Sequence, residues 1–365
     1  MEKQFMARAI ELAKKGTGKV NPNPLVGAVI VKDGKITGEG YHEKYGELHA
    51  ERNALKNCTD SEGATMYVTL TPCCHTGKTP PCTDAVIESG IKKVVIGSRD
   101  PNPLVGEKSI RILEDAGIEV VKDFMKKECD ALNPVFFKYI RTSEPYVVMK
   151  FAETLDGKIA TSASESKWIT GEKAREYVHE TRSKYTGIMV GINTVLKDNP
   201  LLNCRVSGGR NPVRIVCDTN LKTPLTSQLV ATADMYPLVI ATAVTDAERI
   251  REYEKRNCKV LHIDKGEDGH INLKQLMTKL GEMEIDSILI EGGSALHGSA
   301  LEAGIVDKVE AYIAPKIFGG KDAPSPVAGK GVLHPSEALM LENVKITPLG
   351  EDILIEGDVK TCSQE

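Results

Sequence analysis

The sequence predicts an α/β protein of two domains, on the basis of three observations. The chain has 365 residues, which is more than one hydrophobic core usually organises. Predicted strands and helices alternate as far as Thr142, as in a layered α/β domain. After a short linker, Ser143-Glu144-Pro145, a new apolar strand at Tyr146 starts a second alternation. We therefore expect one domain over residues 1–144 and another over residues 145–365.

Composition and charge exclude several classes of protein. Hydrophobic residues make up 41% and charged residues 27%, which is ordinary for a globular protein, and the net charge is -4. Residues 1–144 hold 21 Lys and Arg against 20 Asp and Glu, so they lack the basic excess typical of nucleic-acid binding. The N-terminus lacks the apolar core of a signal peptide, and no apolar run reaches the roughly 20 residues of a membrane span. Together with nine cysteines, an odd number, these features indicate a cytoplasmic protein that binds neither nucleic acid nor membrane.

The first domain is predicted to begin with a helix and a β-hairpin. Apolar residues recur at helical spacing over 2–15, and Asn21-Pro22-Asn23-Pro24 cannot be regular structure. The apolar run 25–31 predicts a strand, and Asp33-Gly34 predicts a tight turn into a second strand at 36–41. The elements expected next are a helix from His49 to about Asn57, strands over 65–70, 94–97 and 118–121, and helices over 83–88 and 109–116.

Two motifs combine residue types that bind metals. His49-Ala50-Glu51 opens a helix, and the next strand leads into Thr69-Leu70-Thr71-Pro72-Cys73-Cys74-His75-Thr76-Gly77-Lys78-Thr79-Pro80-Pro81-Cys82. The imidazole of His49 and the thiolates of Cys73 and Cys82 suit a tetrahedral Zn²⁺ and leave a fourth position open for water, as in catalytic sites. Water on such a zinc ionises near pH ~7, and the carboxylate of Glu51 can carry its proton to a leaving amine. This is the chemistry of hydrolytic deamination.

The residues alone also allow a structural zinc site. A closed structural site needs four protein ligands, and Cys74 and His75 are both candidates for the fourth. His49 and Glu51 are two residues apart, which does not place them on one face of a regular helix. Both can face a metal only near the start of the helix. The pattern therefore predicts zinc, in either a catalytic or a structural site.

The stretch from His49 to Cys82 resembles the cytidine deaminase-like superfamily. Its long gap between the cysteines, with Gly77-Lys78-Thr79-Pro80-Pro81-Cys82, is similar to the bifunctional deaminase/reductases of riboflavin biosynthesis, the RibD family, whereas other deaminases usually have a short Cys-x-x-Cys. Two positions depart from the family pattern, since Thr71 stands where Glu is common and Cys74 stands where Ser is common. Neither departure removes a zinc ligand or the proton carrier. The resemblance implies a three-layer α/β/α fold and a catalytic zinc.

The same resemblance implies that Asn23, His42 and Lys78 bind substrate. The residues alone allow a plainer role for each of them. Asn23 suits a turn, because its side chain can bond its own backbone, although its amide can also donate to and accept from a ligand. His42, which follows Gly40-Tyr41, can be a structural histidine, and Lys78 is either a solvated loop charge or a contact for a substrate phosphate.

The second domain is predicted to contain buried strands separated by helices. Strands are expected over 146–152, 188–190, 213–218, 238–241, 260–263 and 288–290, and helices over 172–185, 273–281 and 296–303. The last strand runs into Glu291-Gly292-Gly293-Ser294 and then a helix. Two glycines at this point let backbone amides and the helix N-terminus approach a phosphate, although a plain strand-to-helix turn has the same sequence pattern.

Several segments, in family order, make the second domain similar to the reductase half of the same family, which has a dihydrofolate reductase-like fold. The matching segments are Thr154-Leu155-Asp156-Gly157-Lys158, 166–170, 191–195, 198–202 and Glu291-Gly292-Gly293. The resemblance assigns NADPH to Ala152, Trp168, Thr194, Asp198, Gly293, Ser294, Ala295, Leu296, His297, Gly298 and Ser299. Thr219, which follows the strand predicted over 213–218, is a further candidate for the cofactor. It assigns substrate to Ser166, Arg182, Leu202, Arg205 and Glu291. A guanidinium fork fits a phosphate ester, although each arginine also suits a surface salt bridge.

The resemblance implies two consecutive reactions on a small phosphorylated pyrimidine by a homo-oligomer. With one Zn²⁺ per chain and Glu51, the first domain is expected to deaminate 2,5-diamino-6-ribosylamino-4(3H)-pyrimidinone 5′-phosphate. With NADPH, the second is expected to reduce the ribosyl chain, giving 5-amino-6-ribitylaminouracil 5′-phosphate. Two other functions remain open. One is a nucleoside or RNA-editing deaminase, which the long cysteine gap and the neutral charge disfavour, and the other is a non-enzymatic zinc-stabilised binding module.

Overall fold

The protein forms two compact units, Met1–Ser143 and Glu144–Glu365. The computed structural model describes residues 2–77, 79–102 and 105–360. Each unit is an α/β structure built on its own sheet, so the predicted fold class is confirmed. Among the helices of the described residues, none is both long enough and apolar enough to cross a membrane.

The first unit is built on a five-stranded mixed sheet. Its elements are α1 (Glu2–Lys14), β1 (Gly27–Lys32), β2 (Lys35–Tyr41), α2 (Ala50–Lys56), β3 (Thr65–Leu70), α3 (Cys82–Glu88), β4 (Lys93–Ser98), α4 (Gly106–Asp115), β5 (Glu119–Val121), α5 (Lys126–Asp130) and α6 (Pro134–Thr142). The strand order is β2-β1-β3-β4-β5. The strand β1 runs antiparallel to both of its neighbours, and β3, β4 and β5 are parallel.

The side chains of successive strand residues point to opposite faces, so the apolar residues of this sheet contribute to two separate cores. On β1, Ala28 and Ile30 face the core that includes α2, α3 and α4, whereas Val29 and Val31 face the core that includes α1. Successive strand residues point to opposite faces, so both faces of the sheet are covered by helices. The result is a three-layer arrangement in which α2 and α3 lie on the same face.

The second unit is built on a nine-stranded sheet. Its elements are β6 (Tyr146–Thr154), α7 (Glu172–Lys184), β7 (Gly187–Gly191), α8 (Ile192–Asp198), β8 (Val213–Cys217), α9 (Gln228–Ala231), β9 (Leu238–Thr242), α10 (Ala247–Glu254), β10 (Cys258–His262), α11 (Leu273–Glu282), β11 (Ser287–Gly292), α12 (Ser294–Glu302), β12 (Lys308–Ala314), a 3-10 turn (Pro335–Glu337), β13 (Leu341–Leu349) and β14 (Asp352–Val359). The strand order is β10-β9-β8-β7-β11-β6-β12-β14-β13.

The parallel part of this sheet positions the candidate site. From β10 to β12 all neighbouring strands are parallel, and β14 and β13 add an antiparallel edge. Helix α8 follows β7 directly, and α12 follows β11 after a single residue, Gly293. Because β7 and β11 are neighbours, both helices start at the same edge of the sheet. Ligands of open α/β sheets bind at this carboxyl edge.

The predicted elements lie close to the observed ones, with some boundary shifts. The strand predicted over 65–70 is confirmed with the same bounds, whereas the strand predicted over 25–31 starts at Gly27 and the one over 260–263 is Cys258–His262. The sequence patterns did not predict α5, α6, α8, α9, α10 or the strands β12, β13 and β14.

Candidate active sites

Backbone hydrogen bonds bring together the two cysteines of the predicted metal site. Cys73 follows β3, and Cys82 is the first residue of α3. The carbonyl oxygen of Cys73 accepts hydrogen bonds from the backbone N–H groups of Cys82, at 3.0 Å, and Thr83, at 3.1 Å. These bonds satisfy N–H groups of the first turn of α3, which has no side-chain cap. The loop therefore closes on itself with both sulfurs at the start of the helix.

His49 completes the group from the start of another helix. It is the N-cap of α2, with an extended backbone. Its ring nitrogen Nδ1 lies 3.5 Å from the sulfur of Cys73 and 3.5 Å from the sulfur of Cys82. Zinc bonds of about 2.3 Å to sulfur and about 2.0 Å to nitrogen, at a tetrahedral angle, put such a pair of atoms about 3.5 Å apart. The donor types and their spacing therefore fit Zn²⁺, with Nδ1 as the ligand atom of His49.

The two candidates for a fourth ligand do not join this group. Among the described residues, the one group of metal-binding side chains consists of His49, Cys73 and Cys82, whose ligand atoms all lie within 4.8 Å of one another. Cys74 is not part of it, and His75 lines the neighbouring cavity instead. Three protein ligands beside a cavity match a catalytic site, which keeps one position open.

Glu51 reaches the same place from the second residue of α2. It is 3% exposed and lines the cavity together with His49 and Cys73. Burial raises the pKa of Glu51 to about 7, and the charge of Cys73 acts in the same direction. A carboxyl group with a pKa near neutrality can both accept and return a proton at physiological pH. Because His49 is the N-cap and Glu51 lies in the first turn, two residues with unfavourable helical spacing can share one site.

Asn23 and His42 form one wall of the cavity, whose volume is about 350 Å³. The side-chain nitrogen of Asn23 donates a hydrogen bond to Nε2 of His42 at 3.1 Å, and Nδ1 of His42 donates to the carbonyl oxygen of Leu48 at 3.0 Å. Since the carbonyl can only accept, His42 carries its proton on Nδ1. Burial lowers the pKa of His42, which favours this neutral ring. The histidine thereby fixes the orientation of the Asn23 amide at the cavity wall.

The loop after β4 adds residues that the sequence patterns did not single out. Asp100 and Asn102 line the cavity, and burial raises the pKa of Asp100 to about 6. The hydroxyl of Thr71 accepts a hydrogen bond from the backbone N–H of Asp100 at 3.1 Å, so this departure from the family pattern ties the ends of β3 and β4. One sequence feature could have indicated Asp100 and Asn102, because residues 100–103, Asp-Pro-Asn-Pro, are similar to residues 21–24, Asn-Pro-Asn-Pro.

Arg52 supports the cysteine loop from α2. Its guanidinium donates to the carbonyl oxygens of Pro80, at 3.2 Å, and Pro81, at 2.7 Å. These contacts connect α2, whose N-cap is His49, with the loop that leads into Cys82. Lys78, the predicted phosphate contact in this loop, lies outside the described residues.

The second unit has a cavity of about 630 Å³ at the carboxyl ends of β7, β8 and β11. Helix α12 begins there, with Gly293 as its N-cap in an extended conformation. Backbone N–H groups and the positive end of the helix dipole at such a start favour an anion. The predicted cofactor residues that line the cavity are Thr194, Asp198, Thr219, Gly293, Ser294, Ala295, Leu296 and Ser299, and the predicted substrate residue Ser166 lines it as well.

Four other predicted cofactor residues are not among the described residues that line this cavity. Ala152 is half-buried on β6, and Trp168 is 64% exposed, with the guanidinium of Arg175 at 4.6 Å from its ring. His297 is buried in α12, where Nδ1 donates to the carbonyl oxygen of Pro326 at 2.8 Å. A Cβ atom at Gly298 would lie 2.0 Å from the carbonyl oxygen of Ala328, so only glycine allows this close approach. His297 and Gly298 thus hold α12 in place.

Arg182 and Glu291, both predicted to bind substrate, form a buried bidentate ion pair. The Nε and Nη2 atoms of Arg182 donate to the two carboxylate oxygens of Glu291 at 2.6 and 2.7 Å. Their side chains are 14% and 7% exposed, which is not the geometry of a surface salt bridge. Burial alone would raise the pKa of Glu291, but the charge and hydrogen bonds of Arg182 outweigh it and hold the pKa at about 2.

The remaining predicted substrate residues lie in the loop after α8. Leu202 is buried with a positive φ of 56°, and Arg205 is exposed. Two further residues near the ion pair were not singled out from the sequence. Lys150 on β6 interacts electrostatically with Glu291, and burial lowers the pKa of its ammonium group. His179 precedes Arg182 by three residues on α7, and this spacing places both on one helix face. The spacing could have indicated His179 from the sequence.

Comparisons with known proteins match both units. The cytidine and deoxycytidylate deaminase zinc-binding region matches residues 1–98, and the RibD C-terminal domain matches residues 145–355. The riboflavin biosynthesis protein RibD of Actinobacillus pleuropneumoniae is 56% identical over 353 residues, which cover 96% of this chain and 94% of that protein. The protein of the same name from Aquifex aeolicus is 43% identical, and the match covers 97% of this chain and 98% of the relative.

Solved structures agree over the full length. The structure of Acinetobacter baumannii RibD, form 1, matches with a TM-score of 0.89 at 34% identity and covers 99% of both chains. A diaminohydroxyphosphoribosylaminopyrimidine deaminase/5-amino-6-(5-phosphoribosylamino)uracil reductase from Thermotoga maritima matches with a TM-score of 0.85 at 41% identity and covers 98% of both chains.

Proposed function

The chain belongs to the RibD family, so it is a bifunctional deaminase and reductase of riboflavin biosynthesis, and we propose that its two units perform the two steps with the residues described above. Residues 1–144 are the zinc-dependent deaminase domain, and residues 145–365 are the NADPH-dependent reductase domain. The substrate is the diaminopyrimidinone ribosylamine 5′-phosphate, and the product is the ribitylaminouracil 5′-phosphate.

In the deaminase domain, His49, Cys73 and Cys82 hold one Zn²⁺, which supplies an ionisable water when it is bound. Glu51 accepts a proton from the attacking water and returns it to the leaving amine. Asn23 and His42 hold the pyrimidine ring at the cavity wall, and Lys78 meets the phosphate. The observation that carries this assignment is the meeting of three ligand atoms with a buried carboxyl group at one cavity.

In the reductase domain, NADPH occupies the cavity at the carboxyl ends of β7, β8 and β11, and it supplies hydride when it is bound. The start of α12 and the side chains of Thr194 and Thr219 orient it. Arg182 and Arg205 receive the substrate phosphate, and Glu291 keeps Arg182 in position through their bidentate pair. Ser166 and Leu202 complete the substrate side of the site, while Ala152, Trp168, His297 and Gly298 support the cofactor.

A second copy of this chain covers the outer edge of the reductase sheet, which makes the enzyme a homo-oligomer. The edge strand β13 and its neighbour β14 expose Val344, Ile346 and Ile353, with Ile346 64% exposed. Exposed edge strands and apolar patches favour association. Ile346→Lys is expected to shift the mass measured by light scattering toward the monomer, and an unchanged mass contradicts this interface.

The cysteines support a reducing compartment such as the cytoplasm. No disulfide joins the eight cysteines among the described residues, and two of them serve as thiolate ligands in the proposed zinc site.

A coupled assay tests the two-step function. Purified protein receives the diaminopyrimidinone ribosylamine phosphate, and ammonia release and NADPH oxidation are followed together with and without a zinc chelator. We expect ammonia first and NADPH oxidation second, both abolished by chelation, while the deaminated intermediate supplied directly is still reduced. Ammonia without NADPH oxidation would limit the function to the first domain. Neither signal, with zinc still bound, would favour a zinc-stabilised binding module or a different deaminase substrate.

A further inference from the structure

One turn of α7 is fixed against the loop that carries Arg205. The sulfur of Cys204 donates to the carbonyl oxygen of His179 at 3.5 Å, and Nη1 of Arg182 donates to the carbonyl oxygen of Asn203 at 3.1 Å. His179 and Arg182 are three residues apart, so they share the face of α7 that meets this loop. The loop thus lies against the part of α7 that holds both side chains.

The ring of His179 has an unsatisfied polar atom at this place. Its Nδ1 is buried and has no hydrogen-bond partner among the described residues, and the same holds for the side-chain oxygen of Asn203. A buried polar atom without a partner is destabilising, so such atoms usually find a partner in a ligand or a water. A protonated Nδ1 of His179 can donate to an anion, whereas the side-chain oxygen of Asn203 needs a donor, such as a hydroxyl group of a sugar.

The charges that face His179 favour an anion. Arg182 comes from its own helix, Arg205 from the loop, Lys150 from β6 and Glu291 from β11. Both oxygens of Glu291 are already bonded to Arg182. Glu291 offsets the charge of Arg182, so the basic groups near the ring that Glu291 does not pair with are Lys150 and Arg205.

We propose that His179 is a third ligand of the substrate phosphate, beside Arg182 and Arg205, and that it takes up a proton when the phosphate binds. This inference rests on the proposed reductase function and identifies a phosphate contact in addition to the two arginines. His179 thereby couples recognition of the phosphorylated sugar to pH.

The electrostatics give the direction of this coupling. Burial, and then the positive charges of Arg182 and Arg205, lower the pKa of His179, so the ring is neutral at neutral pH in the free enzyme. A phosphate dianion has the opposite charge and raises the pKa of the ring. The affinity for phosphate therefore falls as the pH rises from the pKa of the free enzyme to that of the complex.

Calorimetric titration of the full-length protein with ribose 5-phosphate tests the proposal. At about pH 7.5 the phosphate is already a dianion, because its second pKa is about 6. Heats measured in two buffers of different ionisation enthalpy then give the protons taken up by the protein. We expect proton uptake by the wild-type protein, no uptake by His179→Gln and about tenfold weaker binding by that variant. The matched control is His262→Gln, at an exposed histidine on β10, which should behave as the wild type.

Steady-state kinetics with the deaminated intermediate separates a phosphate ligand from a merely structural residue. The ratio of KM between His179→Gln and the wild type should be largest near pH 6 and should fall toward one as the pH rises, with little change in kcat. An equal proton uptake in both proteins, or a constant KM ratio, overturns the proposal. If the variant does not fold, absence of proton uptake by the wild-type protein overturns it instead. Proton-linked binding without NADPH oxidation would keep the phosphate site and reject the reductase function.

Discussion

Arg182 and Glu291 are 109 residues apart in the chain, yet they join α7 to the end of β11 through two parallel hydrogen bonds of 2.6 and 2.7 Å. The pair lies beside Lys150 and His179, which interact electrostatically with Glu291. A bidentate pair fixes the plane of the guanidinium as well as its position. The N–H groups of Arg182 that are not used by Glu291 and Asn203 are therefore presented in a fixed direction.

Glu291→Gln should abolish most reductase activity and spare the deaminase. A neutral amide cannot neutralise the buried guanidinium, and breaking one side of a buried ion pair typically costs about 3 kcal/mol or more. The measurement is NADPH oxidation with the deaminated intermediate, with ammonia release as the internal control. The matched control is Glu252→Gln, which removes the partner of exposed ion pairs and should change neither activity. Wild-type NADPH oxidation in Glu291→Gln contradicts the role given to the pair.

The same pair predicts how the second unit loses stability in acid. The folded pKa of Glu291 is about 2, below the value of about 4.3 for an unfolded glutamate. Its contribution, about 3 kcal/mol, is therefore complete above about pH 5 and is lost as the pH falls toward 2. Urea unfolding followed by Trp168, the only tryptophan, measures this in the second unit. The stability difference between the wild type and Glu291→Gln should shrink across this range, and a difference independent of pH would contradict the assignment.

Glu51→Gln should keep zinc, lose deamination and spare the reductase. Gln has nearly the same shape, but it cannot move a proton between water and amine, and loss of such a group typically lowers the rate about 10²–10⁴-fold. Ammonia release, metal content and reduction of the supplied intermediate are measured on one preparation. The matched control is Glu47→Gln, which changes another carboxyl group at the same cavity. Ammonia release at the wild-type rate in Glu51→Gln would exclude Glu51 as the proton carrier.

Cys82→Ala should lose zinc, and Cys74→Ala should keep it. The first variant removes one of the three ligand atoms that lie within 4.8 Å of one another, and the second removes a neighbouring thiol outside the group. Metal content by mass spectrometry checks both, and reduction of the supplied intermediate shows that the second unit remains folded. One zinc per chain in Cys82→Ala would move the ligand assignment to Cys74 or His75.

The sequence was sufficient to predict those elements whose pattern lies within a few neighbouring residues. The strand β3 and the helix starts at His49 and Cys82 follow from apolar runs, breakers and residue types within a few positions. The ligand types His, Cys and Cys identify zinc without knowledge of the fold. The strand β13 was not predicted, because most of its residues are exposed and its pattern carries no buried face. The strands β12 and β14 have buried residues but were not predicted either. Likewise, α8 follows β7 with no intervening loop, so no turn or loop segment marks the start of the helix.

The tertiary partners of the site could not be derived from one sequence. Neither the pairing of Arg182 with Glu291 nor the tie between Thr71 and Asp100 has a local pattern, since each depends on which strands become neighbours. The use of Nδ1 by His49 depends on its N-cap conformation, which composition does not determine. Buried polar groups such as Arg214 also run against the sequence expectation that charged residues lie outside.

Arg214 provides the last prediction, on stability. This arginine on β8 is 0% exposed and donates to the carbonyl oxygens of Leu229, Thr232 and Tyr236 and to the hydroxyl of Thr232. It also donates to the carbonyl oxygen of Leu201 at 3.4 Å, next to the proposed substrate residue Leu202. Burial lowers the pKa of Arg214 to about 10, so it remains charged at neutral pH.

Arg214→Met keeps an unbranched apolar stem but leaves these buried acceptors without a donor, so it should destabilise the second unit by about 3 kcal/mol. Arg214→Lys should recover only part of this loss, because one ammonium group cannot reach acceptors spread over four residues. Urea unfolding followed by Trp168 measures both variants. The control is Arg256→Met, at an exposed arginine near the end of α10 whose ion pair with Glu252 contributes little. An unfolding midpoint of Arg214→Met equal to that of the wild type would show that water replaces the lost donors.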